Sequence, residues 1–191
     1  MKIILTGGGG GGHFYPLVAV AESINKVVRE EKLLPVKLYF LSDSPIDPDM
    51  LMENNIEYVY IPAGKARRYF SLLNFFDLFK TLFGIIGATM KVFSIYPDVI
   101  FSKGAGSSFP VLVAAKLLRI PVVIHESDSA PGRTNLWASK FAEKIAVSYP
   151  EAAKYFDASK VAVTGNPVRK NIQMLQGRAS SRQFLNLTED V

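Results

Sequence analysis

The sequence contains no cysteine, which excludes a disulfide framework, a thiolate nucleophile and a cysteine-ligated zinc site. Its two histidines, His13 and His125, are too few and too far apart for a histidine-rich metal site. The lack of cysteine fits a reducing compartment. Because the apolar run after Met1 is too short for a signal peptide, we expect a cytoplasmic start with no targeting segment.

The chain has a moderate share of charged residues and a positive net charge. Charged residues make up 20% of the 191 residues, hydrophobic residues make up 49%, and the formal net charge is +5. This composition is typical of a globular domain and favours anionic partners such as phosphates or acidic lipids. The sequence has no zinc-finger spacing, RNP motif or long basic cluster, so we expect no nucleic-acid partner.

Short apolar runs alternate with helical patterns along the chain. Several of these runs are nearly continuous in Val, Ile and Leu, as expected for strands that are covered on both faces. The alternation predicts an α/β fold with a doubly wound, Rossmann-like parallel sheet. The predicted strands are 2–6, 36–41, 57–61, 98–101, 121–125, 144–148 and 160–164, and the predicted helices are 16–31, 72–94, 109–118, 134–141 and 150–156.

Each conspicuous glycine-rich or polar stretch follows a predicted strand. TGGGGGGH follows the first strand, GAGSS the fourth, HESDSAPGRTN the fifth and GNPVR the last. In a parallel sheet these stretches share one edge, and ligands of such folds bind beyond that edge. The sequence therefore predicts one shared site.

Six consecutive glycines, residues 7–12, join the first strand to the next helix. Backbone N–H groups at a helix N-terminus bind phosphate, and glycines let a ligand approach the backbone closely. The alternative is a tight turn, which needs fewer glycines. His13, at the end of the run, is either a general base or a helix cap. A second small-residue loop, residues 104–108, opens another helix in the same way and is a candidate for a second phosphate.

The HESDSAPGRTN stretch holds His125, Glu126 and Asp128. These side chains are candidates for hydrogen bonding, metal binding or acid–base chemistry, although their spacing matches no standard zinc pattern. The alternative is a polar loop held by its own hydrogen bonds. In GNPVR, Arg169 is either a phosphate ligand or a surface arginine beside a turn.

Residues 65–96 combine lysine and arginine with many Phe, Leu and Ile residues. They contain no run of about 18 uncharged residues, so we predict no membrane-spanning helix. The composition favours docking on an anionic membrane surface, and the alternative is an ordinary buried helix. The predicted membrane-docking residues are Arg67, Arg68, Phe75, Phe76, Phe79, Lys80 and Phe83.

Three motifs in order, TGGGGGGH, HESDSAPGRTN and VTGNPVR, resemble the MurG family of UDP-N-acetylglucosamine transferases over residues 1–175. The resemblance implies the N-terminal, acceptor-binding half of a GT-B fold, with no metal and no cofactor. It implies inverting transfer of GlcNAc from UDP-GlcNAc to lipid I, the undecaprenyl-diphosphate-linked acceptor of peptidoglycan synthesis. It also implies a peripheral location on the inner face of the cell membrane.

The same resemblance assigns roles to individual residues. His13 is the candidate catalytic base, and Glu126 is a candidate to orient it or to bind a sugar. The two glycine loops are assigned to the acceptor diphosphate, through Gly8, Gly9, Gly10, Gly11, Gly12, Gly104, Ala105, Gly106, Ser107 and Ser108. The residues assigned to substrate or donor binding are His125, Glu126, Asp128, Asn135, Asn166 and Arg169.

Three positions depart from the family pattern. Gly10 stands where the family usually has threonine, GAGSSFP replaces the common GGY-x-S-G-P, and Asp128 replaces a neutral asparagine. The donor-binding half of the family is not found in this sequence. The chain alone is therefore expected to be inactive. Residues 176–191 are polar and weakly periodic and are predicted to be a linker or tail.

Two other functions compete with this prediction. One is the acceptor subunit of a two-chain glycosyltransferase, with a donor-domain partner chain. The other is a fragment of an NAD(P)-dependent oxidoreductase, in which Asp43 would bind a ribose hydroxyl. Against the second alternative, Asp43 lies farther from the glycine run than the roughly 20 residues typical of that motif.

Overall fold

The computed structural model describes residues 1–8, 10–64 and 73–173. In this part of the chain seven parallel strands form one sheet in the order β3-β2-β1-β4-β5-β6-β7. The strands are β1 Lys2–Thr6, β2 Lys37–Ser42, β3 Ile56–Tyr60, β4 Val99–Ser102, β5 Val122–Glu126, β6 Lys144–Val147 and β7 Val161–Val163. The helices are α1 Gly11–Glu30, α2 Pro48–Glu53, α3 Leu73–Ile95, α4 Phe109–Leu118, α5 Arg133–Ala138, α6 Pro150–Ala153 and α7 Lys170–Gln173.

Helices cover both faces of the sheet, which confirms the predicted doubly wound α/β class. Ile3 and Leu5 of β1 belong to one core cluster, together with Phe14 of α1. Ile4, which points to the opposite face, belongs to a second cluster with Val111 of α4. Because successive side chains of a strand point to opposite faces, a strand between two helical layers is apolar at consecutive positions, as β1 is from Ile3 to Leu5.

The strand order reverses between β1 and β4. β1 pairs with β2 on one side and with β4 on the other, and the chain winds outward from this pair in both directions. Doubly wound sheets bind ligands in the crevice beyond the carboxyl ends of such a pair. The loops that leave β1 and β4 are the two glycine loops, so the topology places both at this crevice.

Several predicted boundaries differ from the structure. α1 begins at Gly11 rather than Pro16, and Pro16 lies inside the helix, because the helix continues back into the glycine run. The short helix α2 has no predicted counterpart; the Asp47 carboxylate caps it by accepting a hydrogen bond from the Met50 amide at 3.1 Å. Helices of this length are too short to show the apolar periodicity on which prediction relies.

A stripe of small and branched residues attaches α3 to α4. Gly84, Ala88 and Val92 are four residues apart, lie on one face of α3 and are buried. A Cβ added to Gly84 would overlap the carbonyl oxygen of Pro62, and it would lie 3.3 Å from Cγ of Pro110 in α4. Glycine at this position therefore lets α3 pack closely against the rest of the domain.

Replacing Gly84 with alanine should lower the free energy of unfolding by about 1–3 kcal/mol, because the methyl group has no space beside the Pro62 carbonyl. Gly87 lies in the same helix with nothing within 4 Å of an added Cβ. Gly87→Ala should therefore raise the free energy of unfolding by about 0.5–1 kcal/mol through helix propensity. Urea unfolding followed by circular dichroism measures both, and equal effects of the two substitutions would contradict the packing described above.

Candidate functional site

His13 lies in the first turn of α1, at the carboxyl edge of the sheet. Its Nδ1 is 3.2 Å from the carbonyl oxygen of Lys103, the first residue after β4. Because a carbonyl oxygen can only accept a hydrogen bond, Nδ1 carries the ring proton in this contact. When the ring is neutral, Nε2 is therefore the unprotonated nitrogen of this half-buried side chain, and a general base requires such a nitrogen.

The first glycine loop ends at the N-terminus of α1. Gly10 is the N-cap residue, no side chain caps the helix, and its first turn has no acidic residue. The amides of Gly11 and Gly12 lie in the first helical turn, where an N–H group has no acceptor within the helix. Together with the dipole of a 20-residue helix, these amides favour an anion such as phosphate. Gly9 lies outside the described residues.

The second glycine loop touches the first. A Cβ added to Gly8 would lie 2.5 Å from Oγ of Ser107 and 2.6 Å from Oγ of Ser42, so only glycine permits this approach. Ser107 is 6% exposed, and its Oγ has no hydrogen-bond partner among the described residues. A buried hydroxyl of this kind is normally satisfied, and a ligand oxygen beside Gly8 would satisfy it.

The backbone of the second loop has an unusual conformation. Gly104 has φ +81°, and Ala105 has φ +68° with ψ 168°, a region that is almost exclusive to glycine and costs about 1–3 kcal/mol for other residues. Hydrogen bonds hold the loop on both sides: the Gly104 amide donates to Ser102 Oγ at 3.0 Å, and Ser108 Oγ donates to the Ala105 carbonyl at 2.9 Å. The 3-10 turn Gly106–Ser108 then leads into α4.

Lys103, which no sequence motif singles out, is buried between the glycine loops and β5. Its Nζ lies 2.9 Å from Nδ1 of His125 and also contacts Oγ of Ser127. Burial lowers the pKa of Lys103 to about 8, while the carboxylates of Glu126 and Asp128 act in the opposite direction. The one available sequence signal is a lysine placed directly between a strand end and a glycine.

His125 is buried at the end of β5 and links two loops. Its Nε2 lies 3.0 Å from the carbonyl oxygen of Gly165, after β7. Burial is the main cause that lowers the pKa of His125; the charge of Lys103 adds to this, while the Gly165 hydrogen bond and Glu126 oppose it. A neutral, buried imidazole of this kind connects β5 to the GNPVR loop.

Glu126 holds its own loop rather than His13, which corrects the expectation that it orients the candidate base. Its Oε1 accepts a hydrogen bond from the Asp128 amide at 3.0 Å, and its Oε2 accepts from the Gly132 amide at 3.0 Å and from Nδ2 of Asn135 at 2.9 Å. The loop is therefore organised around one buried carboxylate, as the alternative interpretation of this stretch expects.

Asn135 fills the space between this loop and the second glycine loop. Its Nδ2 also donates to the carbonyl of His125 at 3.2 Å. Its Oδ1 is buried without a partner among the described residues and lies 2.7 Å from the position of a Cβ added to Gly104. Gly104 therefore requires glycine both for its positive φ and for its contact with Asn135.

Arg169 packs on α1 and α2. Its guanidinium lies 4.3 Å from the ring centre of Tyr15, and its Nη1 is 3.5 Å from Sδ of Met50. The next residue strengthens the connection, because the Lys170 amide donates to the Glu22 carboxylate at 2.9 Å. In this structure Arg169 therefore anchors the segment after β7, and its binding of a phosphate stays a prediction.

Asp128 and Asn166 are exposed and follow the carboxyl ends of β5 and β7. Both are accessible to a ligand at the same edge as the glycine loops. In the ranges 1–8, 10–64 and 73–173, no group of three histidine or acidic side chains is arranged to hold a metal ion.

The predicted membrane-docking residues are described only in part. Arg67 and Arg68 lie outside the described residues, and the side chains of Phe75 and Phe76 are also not described. The other three are exposed, with an exposed fraction of 45% for Phe79 and 65% for Phe83, and Lys80 is exposed beside them.

The exposed face of α3 is more extensive than the sequence prediction. It also includes Leu82, Ile86, Met90 and Phe93, each more than half exposed. By length and composition alone, Asp77–Ile95 is long and apolar enough to cross a bilayer, and 17% of that stretch is buried. The lack of a long uncharged run predicts no spanning helix, whereas the length and composition of α3 would allow one. The two criteria therefore disagree for α3.

The sheet is doubly wound, and two glycine loops with a histidine between them lie at its switch point. These features define a Rossmann-like domain that suits a phosphorylated ligand. Residues 3–147 match the glycosyltransferase family 28 N-terminal domain. The chain belongs to this family.

Curated relatives agree with this assignment. A Clostridium perfringens protein is 40% identical over 190 residues, covering 99% of this chain and 51% of that protein. A Clostridium botulinum protein is 42% identical over 171 residues, covering 90% of this chain and 46% of that protein. Both are named UDP-N-acetylglucosamine--N-acetylmuramyl-(pentapeptide) pyrophosphoryl-undecaprenol N-acetylglucosamine transferase. These matches confirm the resemblance to the MurG family, and the chain spans about half the length of these relatives.

Solved structures show the same fold. MurG from Acinetobacter baumannii superposes with a TM-score of 0.66 at 25% identity, covering 90% of this chain and 47% of that one. UDP-GlcNAc 2-epimerase from Neisseria meningitidis, bound to UDP-GlcNAc, gives a TM-score of 0.60 at 18% identity and covers 100% and 54%. At that identity the second likeness concerns the fold alone.

Glu126→Gln should lower the free energy of unfolding by about 1–3 kcal/mol, because an amide N–H group would face N–H donors that the carboxylate now satisfies. Glu143→Gln is the matched control, since Glu143 is exposed and its replacement should change stability by less than about 0.5 kcal/mol. Urea unfolding at pH 7 measures both. Equal stabilities of the two variants would show that Glu126 does not organise the loop.

Proposed function

We propose that this chain is the acceptor-binding domain of a glycosyltransferase that transfers GlcNAc from UDP-GlcNAc to lipid I in peptidoglycan synthesis. The observation that carries the proposal is the Lys103–His13 hydrogen bond. In the neutral ring this bond places the lone pair on Nε2 of His13, beside helix amides that suit a phosphate. The relatives named as transferases of this reaction support the proposal.

In the proposed mechanism, the acceptor diphosphate binds the amides of the first α1 turn and the loop 104–108. This contact positions the C4 hydroxyl of the acceptor MurNAc near His13. Nε2 of His13 accepts the hydroxyl proton while the oxygen forms a bond to C1 of GlcNAc. The bond between C1 and the UDP oxygen breaks, UDP leaves with the electron pair, and the configuration at C1 is inverted.

The described residues supply positioning, a base and electrostatic stabilisation in this mechanism. A positioned general base raises the rate by about 10²–10⁴-fold. The fixed amide dipoles stabilise the charge of the bound diphosphate and thereby position the acceptor. We expect the uridine half of the donor to bind mainly outside this chain, since the relatives are about twice as long. The donor-binding part would belong either to the same protein or to a partner chain.

Gly11→Pro tests the anion site, because proline at the first helical position keeps the helix and removes one amide N–H. Affinity for a water-soluble, short-chain lipid I analogue should fall by about tenfold, the value of one hydrogen bond to a charged group. Gly11→Ala is the matched control, since its Cβ meets the same Tyr15 ring but the amide remains. Isothermal titration calorimetry measures both affinities, and identical values would contradict an anion site at this turn.

A transfer assay and a titration with NAD distinguish the competing functions. We expect the chain alone to bind the lipid I analogue without transferring GlcNAc to it. Measurable transfer from UDP-GlcNAc by the chain alone would show that it is not merely an acceptor domain. Saturable binding of NAD would favour the oxidoreductase alternative.

We further propose that α3 docks on the inner face of the cell membrane. Its apolar face is exposed from Leu78 to Phe93, while the opposite face is held to α4 by the stripe that begins at Gly84. A helix held in this way suits the membrane surface. Lys80 and Lys91 are eleven residues apart, close to three helical turns, and therefore lie on one flank, where they would meet anionic headgroups.

This docking would bring the candidate site to its lipid-linked substrate. α3 follows β3 and therefore begins at the carboxyl edge of the parallel sheet, the edge that carries both glycine loops. A membrane that contacts the exposed face of α3 would therefore also lie near this edge, where the helix begins. An acceptor anchored in that membrane would then need to extend only its diphosphate and sugar into the crevice.

Phe83→Glu and Phe93→Glu should each weaken binding to phosphatidylglycerol-containing vesicles by about tenfold, because each removes an aromatic ring from the bilayer. Lys80→Glu should weaken binding to these vesicles by about fivefold or more without affecting binding to neutral vesicles. Leu34→Glu is the control, as Leu34 is 85% exposed in the loop after α1. Vesicle sedimentation measures all four variants, and equal binding would indicate that α3 does not contact lipid.

A further inference from the structure

Lys103 connects several parts of the candidate site through its main chain and its side chain. Its amide donates to the carbonyl of Thr6 at 2.9 Å, and its carbonyl accepts from Nδ1 of His13 at 3.2 Å. Its ammonium reaches Nδ1 of His125 at 2.9 Å and contacts Oγ of Ser127. One residue therefore joins the ends of β1 and β5 and the first turn of α1.

The contact with the ammonium determines which nitrogen of His125 carries the proton. An ammonium has only donors, so Nδ1 of His125 must accept and the ring proton must be on Nε2. Nε2–H then donates to the carbonyl of Gly165 at 3.0 Å. The opposite tautomer would set a proton against the ammonium and a lone pair against the Gly165 carbonyl, and both contacts would become repulsive.

We propose that Lys103 is a positioning residue: its ammonium fixes His125 in the Nε2–H tautomer, and His125 thereby holds the GNPVR loop against the HESD loop. Gly165 has φ +74°, a conformation that favours glycine and that directs its carbonyl toward the imidazole. The importance of this loop for substrate rests on the proposed function, through the exposed Asn166. The hydrogen bonds themselves do not depend on it.

The electrostatic environment agrees with this pairing. Burial lowers the pKa of both groups, that of Lys103 to about 8. At pH 7 the lysine is therefore still charged and His125 is neutral, which is the combination that the hydrogen bonds require. Glu126 and Asp128 are the charged groups that favour the ammonium. Above pH 8 the ammonium loses a proton, so the contact with His125 changes.

Nitrogen-15 NMR of the imidazole rings tests the proposal on the whole chain without ligand. The chain has only two histidines, so one His13→Gln variant assigns all ring signals. We expect opposite tautomers, with the proton on Nε2 in His125 and on Nδ1 in His13. Raising the pH from 7 to 10 should shift the His125 Nδ1 signal with a midpoint near 8. A proton on Nδ1 of His125 at pH 7 would overturn the proposal.

Lys103→Met removes the donor while keeping an unbranched side chain. The His125 Nδ1 signal should move to the position of a nitrogen without a donor. Exchange of the Thr164 amide, which donates to the Val147 carbonyl at 2.9 Å beside this loop, should accelerate by about tenfold. Lys160→Met is the control, because Lys160 Nζ donates to the Ala142 carbonyl at 3.0 Å and does not contact His125. Unchanged His125 signals in Lys103→Met would overturn the proposal. If this variant does not fold, the measurements on the unmodified chain decide alone, and they do not require the acceptor to bind.

Discussion

The parallel pairing of β1 with β4 is the constraint on which the rest of the site depends. The register runs from Ile3 opposite Val99 to Thr6 opposite Ser102, and the Lys103 amide extends it by donating to the Thr6 carbonyl. Two neighbouring strands therefore end at the same level, and a glycine loop leaves each of them. One loop enters α1 and the other enters α4, so two helix N-termini and His13 share one crevice.

The glycines of the first loop serve different purposes. Gly8 is required by packing, because Ser42 and Ser107 lie against it, whereas a side chain at Gly10 or Gly12 would meet nothing within 4 Å. The structure therefore has open space for a Cβ at Gly10, the position where the MurG family usually has threonine. Its replacement removes a hydroxyl beside the helix N-terminus. Open space around these backbone amides is what a bound diphosphate needs.

The sequence predicts most of the fold because several strands are nearly continuous apolar runs and each longer helix has a clear pattern. The start of α1 is not predicted, because glycine and proline are poor helix formers and the fully buried Phe14 stabilises the first turns by tertiary packing. Lys103 is missed for a related reason. A single lysine at a strand end is normally exposed, and its burial is visible only when β1, β4 and β5 are assembled.

The sequence by itself determined the α/β class, the sheet edge where the glycine loops lie and the position of His13 at that edge. These follow from local patterns and from the rule that parallel strands end together. Only the tertiary structure decided what each polar side chain does. Glu126 and Arg169 hold loops, and the rings of His13 and His125 face carbonyl groups 90 and 40 residues away. The tautomer and role of a polar group depend on the atoms that face it, and folding brings those atoms from distant strands.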